Sequence, residues 1–271
     1  MWGRIVGTAF GFIFGKVPGA ILGFTIGYWF DWKDGRSVAG QGGFNSLFTG
    51  KYYSRQDATF FYALFSAHGH IAKAKGRITE ADIASAQRLM NDLRLQGAAL
   101  EEARTAFREG KDLYFPLVAT LKQFRRDYDN RGAVLQSFML QLIALLIRAH
   151  RLERAEYDLL LIAAKTLGYS RFELDRWLLM ESAQQQFSRF KNNVKRPPAA
   201  EDKQLKAAYK ALGVTPEVSD KTLKQTYRRL MAEYHPDKLM AQGLPEEMLA
   251  GATRRAQEIQ AAYDLIKQHR R

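Results

Sequence analysis

The sequence predicts an all-α chain: an N-terminal transmembrane helix, a helical bundle in the middle and a C-terminal helical hairpin. Three observations carry this. From Ile5 to Phe30 the chain is apolar, with Lys16 its one charged residue. From Gln56 to Gln186 apolar residues recur at helical spacing, proline is rare and no useful run of β alternation appears. From Gln204 to Arg271 helical periods resume behind a basic, proline-bearing stretch.

Composition narrows the classes. The 271 residues leave room for two small domains, and 46% hydrophobic content is that of a folded protein. With no cysteine, no disulfide framework and no cysteine-based zinc or iron–sulfur site can form, which suits a reducing compartment. The net charge of +13 would suit nucleic acid or an anionic membrane surface. The excess is scattered, however, and no lysine–arginine run interleaved with aromatics occurs, so no nucleic-acid partner is expected.

The first element spans residues 1–31. About 26 residues at 1.5 Å each reach roughly 39 Å, enough to cross a bilayer with some tilt. A cleaved signal peptide would want a basic start, a shorter core and a small-x-small site, whereas Asp31-Trp32-Lys33-Asp34 follows. Tyr28, Trp29 and Trp32 read as an interfacial aromatic belt. Lys33, Arg36, Lys51 and Arg55 lie on the C-terminal side, against Arg4 on the other. The positive-inside rule then places the bulk of the chain in the cytoplasm after a single pass. Lys16 and Pro18 count against a plain span, the first as a charge in lipid and the second as a kink.

Glycine recurs at every fourth position through this segment: Gly3, Gly7, Gly11, Gly15, Gly19, Gly23 and Gly27. In water each would cost a helix about 1 kcal/mol relative to alanine. In lipid, apolar burial no longer drives helices together, and small residues four apart allow backbones to approach closely. The ridge is therefore expected to make the protein a homodimer through its transmembrane helix.

Residues 32–55 form a glycine-bearing juxtamembrane stretch. The middle domain, 56–186, opens on Phe60, Phe61, Leu64 and Phe65, and continues through Ile78–Leu95 with Ile83, Leu89, Met90 and Leu93 as apolar positions. Phe138–Ile147 is almost wholly apolar, as a buried central helix should be. Tyr157–Leu167 and Phe172–Met180 follow. A repeat is present: GRITEADIASAQRLMNDLRL from Gly76 aligns without gaps on HRLERAEYDLLLIAAKTLGY from His150. Arg77 matches Arg151, Ile78 matches Leu152, Ala81 matches Ala155, Asp82 matches Glu156 and Leu93 matches Leu167. Each copy reads as a turn, a helix start with acids in its first turn, and an amphipathic helix.

This pairing resembles the TerB-like helical domains, in which two such pseudo-repeats pack together. In that family an aspartate–glycine pair and a following glutamate can supply a metal site. Here Lys75 precedes Gly76, and His150-Arg151 stand in the second turn. A hard cation wants several converging carboxylates, so no metal is expected. His68 and His70 are two apart and face different ways on a helix. A scaffold or protein-contact module is the expectation for this domain.

Residues 187–203, containing KNNVKRPPAAEDK, read as a linker, and 204–271 as the last domain. Leu205–Leu212 should form a short helix ended by Gly213. Ser219 or Asp220 should cap a second, with Leu223, Tyr227, Leu230 and Met231 on one face and Lys221, Lys224, Arg228 and Arg229 on the other. His235-Pro236-Asp237 should lie in a loop. A third helix, from about Pro245 to Gln268, should turn Ala256, Ile259, Ala262, Tyr263 and Ile266 inward.

The stretch from Leu205 to Lys267 resembles a J domain, the module of DnaJ-type co-chaperones. The resemblance rests on Leu212-Gly213-Val214, Tyr227-Arg228-Arg229-Leu230, Tyr234-His235-Pro236-Asp237-Lys238 and EIQAAYDLI from Glu258. It implies contact with a DnaK-type chaperone ATPase and stimulation of its hydrolysis. The basic face would steer toward an acidic surface, and Asp237 would bond a partner arginine. Pro236 would stiffen the loop and His235 hold it, with Lys238 beside them. Glu233 departs from the pattern, since many relatives are basic there.

The whole order resembles the membrane-anchored DnaJ-like co-chaperones of Gram-negative bacteria. It implies a regulatory co-chaperone of the bacterial inner membrane, N-terminus periplasmic, linked to envelope signalling and surface polysaccharide. No cofactor and no catalysis of its own are implied, and no nucleophile motif, Walker loop or framed carboxylate pair suggests an enzyme. A competing expectation is a membrane scaffold acting through the TerB-like domain with an inactive J domain.

Overall fold

In the computed structural model, residues 55–191 and 198–270 are described. The transmembrane segment with its glycine ridge, the juxtamembrane stretch and the middle of the expected linker lie outside them. Every regular element among the described residues is an α-helix, as the sequence predicts.

Seven helices build the middle body: α1 (Arg55–Lys73), α2 (Glu80–Asp92), α3 (Gly97–Gly110), α4 (Leu117–Asp127), α5 (Gly132–Ala149), α6 (Arg154–Leu167) and α7 (Arg171–Lys191). Helix α5 is its axis: Phe138, Met139, Leu142, Ile143, Leu145 and Leu146 are fully buried. It is the one described helix long and apolar enough to cross a membrane, and burial of its side chains marks it as core. Around it Phe60, Phe124 and Phe138 form a mutual aromatic cluster, with centroids 4.5–5.7 Å apart. Helices α1 and α3 cross with backbones in contact. A Cβ at Gly69 would meet the Phe107 carbonyl and one at Gly110 the Ser66 carbonyl, so only glycine fits either position.

The two sequence repeats begin their helices alike. Thr79 caps α2 in a capping box with Asp82, and Glu153 caps α6 in one with Glu156. Helix α6 then ends at Gly168 in the left-handed region, φ 98°. One expected core position fails. Ile83 is 41% exposed, because the buried stripe of α2 runs through Asp82, Ser85, Ala86, Leu89 and Met90, one residue out of phase with it.

Four further helices follow: α8 (Pro198–Ala211), α9 (Asp220–Glu233), α10 (Pro236–Ala241) and α11 (Glu246–His269). The linker is shorter than the sequence suggested. Helix α7 continues to Lys191 and α8 begins at Pro198, seven residues ahead of Leu205. Proline is at home in a first helical turn, where its missing N–H leaves no bond unmade. Helix α8 then packs along α7 and α11. Helices α9 and α11 run antiparallel, as expected. Arg270 reaches Asp220 at 2.6 Å, Tyr227 stacks on Tyr263 at 4.2 Å, and Arg255 lies over the Tyr234 ring.

Candidate functional site

The site is built at the far end of the α9–α11 hairpin. Ser219 accepts a bond from the Thr222 N–H at 3.2 Å and starts α9. Leu223 and Leu230 are buried, as are Ala256, Ile259, Ala262 and Ile266 of α11. This apolar seam leaves Lys221, Lys224, Arg228 and Arg229 exposed on the other side. Tyr227 is half-buried against Tyr263. Its ring stiffens the hairpin, and part of it stays accessible beside the expected chaperone-binding cations.

Where a loop was expected, the His-Pro-Asp triplet opens the short helix α10. His235 is its N-cap, in extended conformation, and Pro236 takes the first helical position. The reason is local: proline's fixed φ is preset for a helix start. The Leu239 N–H then donates to the His235 carbonyl at 3.1 Å, and the Leu239 side chain is buried beneath. The side chains of the motif face water. Asp237 is 83% exposed and His235 54%, with 3.8 Å between Nδ1 and Oδ2. His235 makes no side-chain capping bond. Lys238 is exposed beside them.

The residue before the motif behaves differently. Tyr234 is buried, and the Arg255 guanidinium sits 5.3 Å from its ring centroid. Arg255 also pairs with Glu181 of α7 and donates to Gln184 Oε1 at 3.2 Å. Glu233, the departure from the basic pattern, is 3.7 Å from Arg229 and accepts a bond from Gln136 of α5. Arg131 donates to the Gln242 carbonyl just past α10, at 3.1 Å. The sequence offered no sign of these contacts with the middle body, because each joins residues at least 71 positions apart.

A second polar cluster lies inside the middle body. The Lys75 ammonium donates to Asp82 at 2.8 Å, to Glu156 at 3.0 Å and to the Ala72 carbonyl at 2.9 Å. His150 Nε2 lies 3.3 Å and 3.2 Å from the same two carboxylates. Both acids are fully buried and Lys75 is 3% exposed. Burial alone would raise the Asp82 pKa. Bonds from Lys75 and Thr79, with the lysine's charge, outweigh it and hold the carboxyl below its ordinary value. His68, buried in the same electrostatic neighbourhood, is pushed down to about 4 by desolvation, which Asp82 only partly opposes.

Asp82, His150 and Glu156 offer ligand atoms within 4.8 Å of one another. The two turns were read as too basic to converge acids, and the fold converges them all the same. The acids come from the helix starts rather than the turns, and the repeat already aligned Asp82 on Glu156. A cation is present between them: it is the ammonium of Lys75. A divalent ion would have to displace it.

Neither cluster sets a nucleophile beside a base. The exposed one instead presents a carboxylate and a row of cations to solvent, an arrangement suited to recognition.

Comparison with known proteins agrees at both ends of the chain. The DnaJ domain family matches residues 207–271, and the family described as the co-chaperone DjlA transmembrane domain matches residues 1–42. The relative named Co-chaperone protein DjlA in Photobacterium profundum is 40% identical, over 100% of this chain and 99% of that protein. Its namesake in Shewanella oneidensis is 40% identical over 98% of each chain. The one in Escherichia coli K12 is 37% identical over 99% of this chain and 98% of its own length. No solved structure matches the chain.

Proposed function

This chain belongs to the DjlA co-chaperone family, and on that premise we propose that it stimulates ATP hydrolysis by a DnaK-type chaperone from the bacterial inner membrane. That it is a membrane-anchored J-domain co-chaperone follows from the family. The partner, the activity and the residues are our reading. One observation carries it: Asp237 and His235 stand exposed at the end of a helix whose cationic face, Lys221, Lys224, Arg228 and Arg229, is exposed as well. The cations steer an acidic partner surface into place. Asp237 then accepts a charge-assisted bond from a partner arginine. Pro236 holds the aspartate on a preset helix start, and His235 and Lys238 flank it.

Domain limits follow the same reading: a span over 1–31, a juxtamembrane stretch over 32–55, a TerB-like body over 56–186, a linker within 187–203 and a J domain over 204–271. The chain crosses the membrane once, with a short periplasmic N-terminus and the bulk in the cytoplasm. It dimerises along Gly3, Gly7, Gly11, Gly15, Gly19, Gly23 and Gly27. Its position in the envelope suits an influence on envelope signalling and surface polysaccharide.

The test of the activity is single-turnover ATP hydrolysis by a purified DnaK-type chaperone, with the full chain in detergent. Wild type should accelerate it, and an Asp237→Asn protein that accelerated it equally would sink the reading. The dimer is tested by crosslinking wild type against Gly15→Leu with Gly19→Leu. The leucines keep the segment apolar while forcing the helix axes apart, so crosslinking should fall. Equal crosslinking would remove the ridge from the dimer interface.

A further inference from the structure

We propose that the middle helical body positions the His-Pro-Asp turn, gripping it from both sides, so that the J domain's activity depends on a domain outside it. This rests on the co-chaperone reading above and says which additional residues serve it.

The turn occupies residues 235–237, and the grip falls on its flanks. On the N-terminal side, Gln136 Nε2 of α5 donates to the Glu233 carboxylate. On the C-terminal side, Arg131 Nη1, at the start of α5, donates to the Gln242 carbonyl at 3.1 Å. Both holding residues come from one end of one buried helix, whose core side chains fix it in place. The distance between the two anchor points of α9 and α10 is thereby set by a rigid element that neither helix contains.

A third hold comes from beneath. Arg255 of α11 pairs with Glu181 and bonds Gln184, both on α7. Its guanidinium lies on the ring of Tyr234, the residue next to His235. Tyr234 is buried where the hairpin meets the body, within the electrostatic reach of Arg176 as well as Glu233 and Arg229. Ser188 of α7 donates to Glu258 one helical turn further along, at 3.0 Å. None of these contacts covers the partner-facing side, since the four cations of α9, His235 and Asp237 all remain exposed. The body thus grips the turn and leaves its working face open.

Glu233 acquires a role in this arrangement. On an isolated hairpin it would only weaken a positive face. Here it is the handle by which the body holds the end of α9, with Arg229 at 3.7 Å completing the bridge.

The consequence is a particular split in kinetics. Loosening the grip leaves the cations that govern encounter in place, so the concentration of half-maximal stimulation should hold. What should fall is the plateau, because Asp237 is then presented in a wider range of poses.

The test uses the full chain in detergent with Arg131→Ala and Gln136→Ala together, neither of which faces the partner. Maximal ATPase stimulation should drop about fivefold, with half-saturation moving less than about twofold. Restoring Gln136 and placing Arg131→Lys, which keeps a cationic donor for the Gln242 carbonyl, should recover most of the plateau. Hydrogen exchange at the amides of Leu239 and Gln242, read on the same protein without any chaperone, should quicken about tenfold in the double variant. An unchanged plateau, a shift in half-saturation alone, or a plateau that rises would each overturn the proposal. A wild-type protein that failed to stimulate at all would overturn the co-chaperone reading and the kinetic half of this one. The exchange measurement, which needs no partner, would then decide the mechanical half alone.

Discussion

The two charged clusters of this protein use the same chemistry to opposite ends. At the His-Pro-Asp turn, Asp237 is 83% exposed and the cations of α9 are exposed beside it. In the middle body, Asp82 and Glu156 are fully buried around Lys75. Exposure decides what each charge can do. An ion in water gains little from a local partner, so its surplus field is available for association. An ion without water must be satisfied inside the chain, and when it is, its field ends there. The difference teaches where to look for function in a protein with net charge +13: among the exposed surface charges, and not in the tightest cluster.

The sharpest way to break this contrast is at Asp237. Its replacement by asparagine keeps the shape and removes the charge, and at this exposure stability should change by less than about 0.5 kcal/mol. ATPase stimulation should nonetheless be lost. A urea denaturation curve coincident with wild type, alongside a flat hydrolysis trace, is the expected pair of results. A destabilised Asp237→Asn protein would mean that the turn, too, is structural.

Lys75 should behave the other way round. Lys75→Met removes the one ammonium shared by two buried carboxylates, which should cost about 3–5 kcal/mol of stability. The per-molecule ability of the folded fraction to stimulate a chaperone should be unaffected, since Lys75 is remote from the exposed face. In the wild type, a divalent ion near micromolar concentration should leave the melting temperature unchanged, because the ammonium already stands between the acids. A rise of several degrees would show that the ion binds the folded state and displaces it.

The two clusters also differed in how far the sequence exposed them. The J-domain motif is contiguous, and its flanking helices announce themselves by periodicity, so the cationic face and the apolar seam of α9 and α11 fall where expected. The sequence could not say that Pro236 starts a helix, although proline's preference for a first turn was a usable signal there and at Pro198. The buried cluster joins residue 75 to residue 156, and composition suggested that the turns were too basic for such a site. Its trace was the alignment of Asp82 with Glu156. What periodicity cannot carry is the partner of a face. Gln136, Arg131 and Glu181 belong to no motif in the sequence, and only the packing shows what they hold.

Acid should discriminate the clusters as well. His68 is lowered to about 4 from an ordinary 6.5, so the unfolded chain takes up a proton that the folded chain refuses. That contribution is fully present above pH 6.5 and is lost as pH falls toward 4. Asp82, held below its ordinary value, adds a loss of the same sign at still lower pH. Between pH 7 and pH 4.5 the His68 contribution should fall by on the order of 2 kcal/mol. Urea midpoints at the two pH values should therefore draw together in His68→Leu relative to wild type, whatever the absolute stability of the variant. If the gap between the midpoints is the same in both proteins, the acid sensitivity lies elsewhere.

The smallest expected effect belongs to the individual cations of α9. Lys224→Ala and Arg228→Ala each remove one exposed charge that holds no buried group, so folding should be nearly indifferent to them. Each contributes to the field that guides an acidic chaperone surface, and single surface charges are worth roughly 0.2–1 kcal/mol. At low salt the apparent affinity should therefore fall by a factor of about two to five for each substitution. At 1 M salt, where the screening length shrinks to about 3 Å, variant and wild type should converge. The plateau of stimulation should stay at the wild-type level throughout, because Asp237 and its supports are intact. That separates these residues from Arg131 and Gln136, whose loss is expected in the plateau and to persist at high salt. Stimulation measured across a salt series for both sets of variants would expose any exchange of roles. If the Lys224→Ala defect survived at 1 M salt, the lysine would be making a desolvated bond to the partner, and the division between steering charges and positioned ones would have to be redrawn.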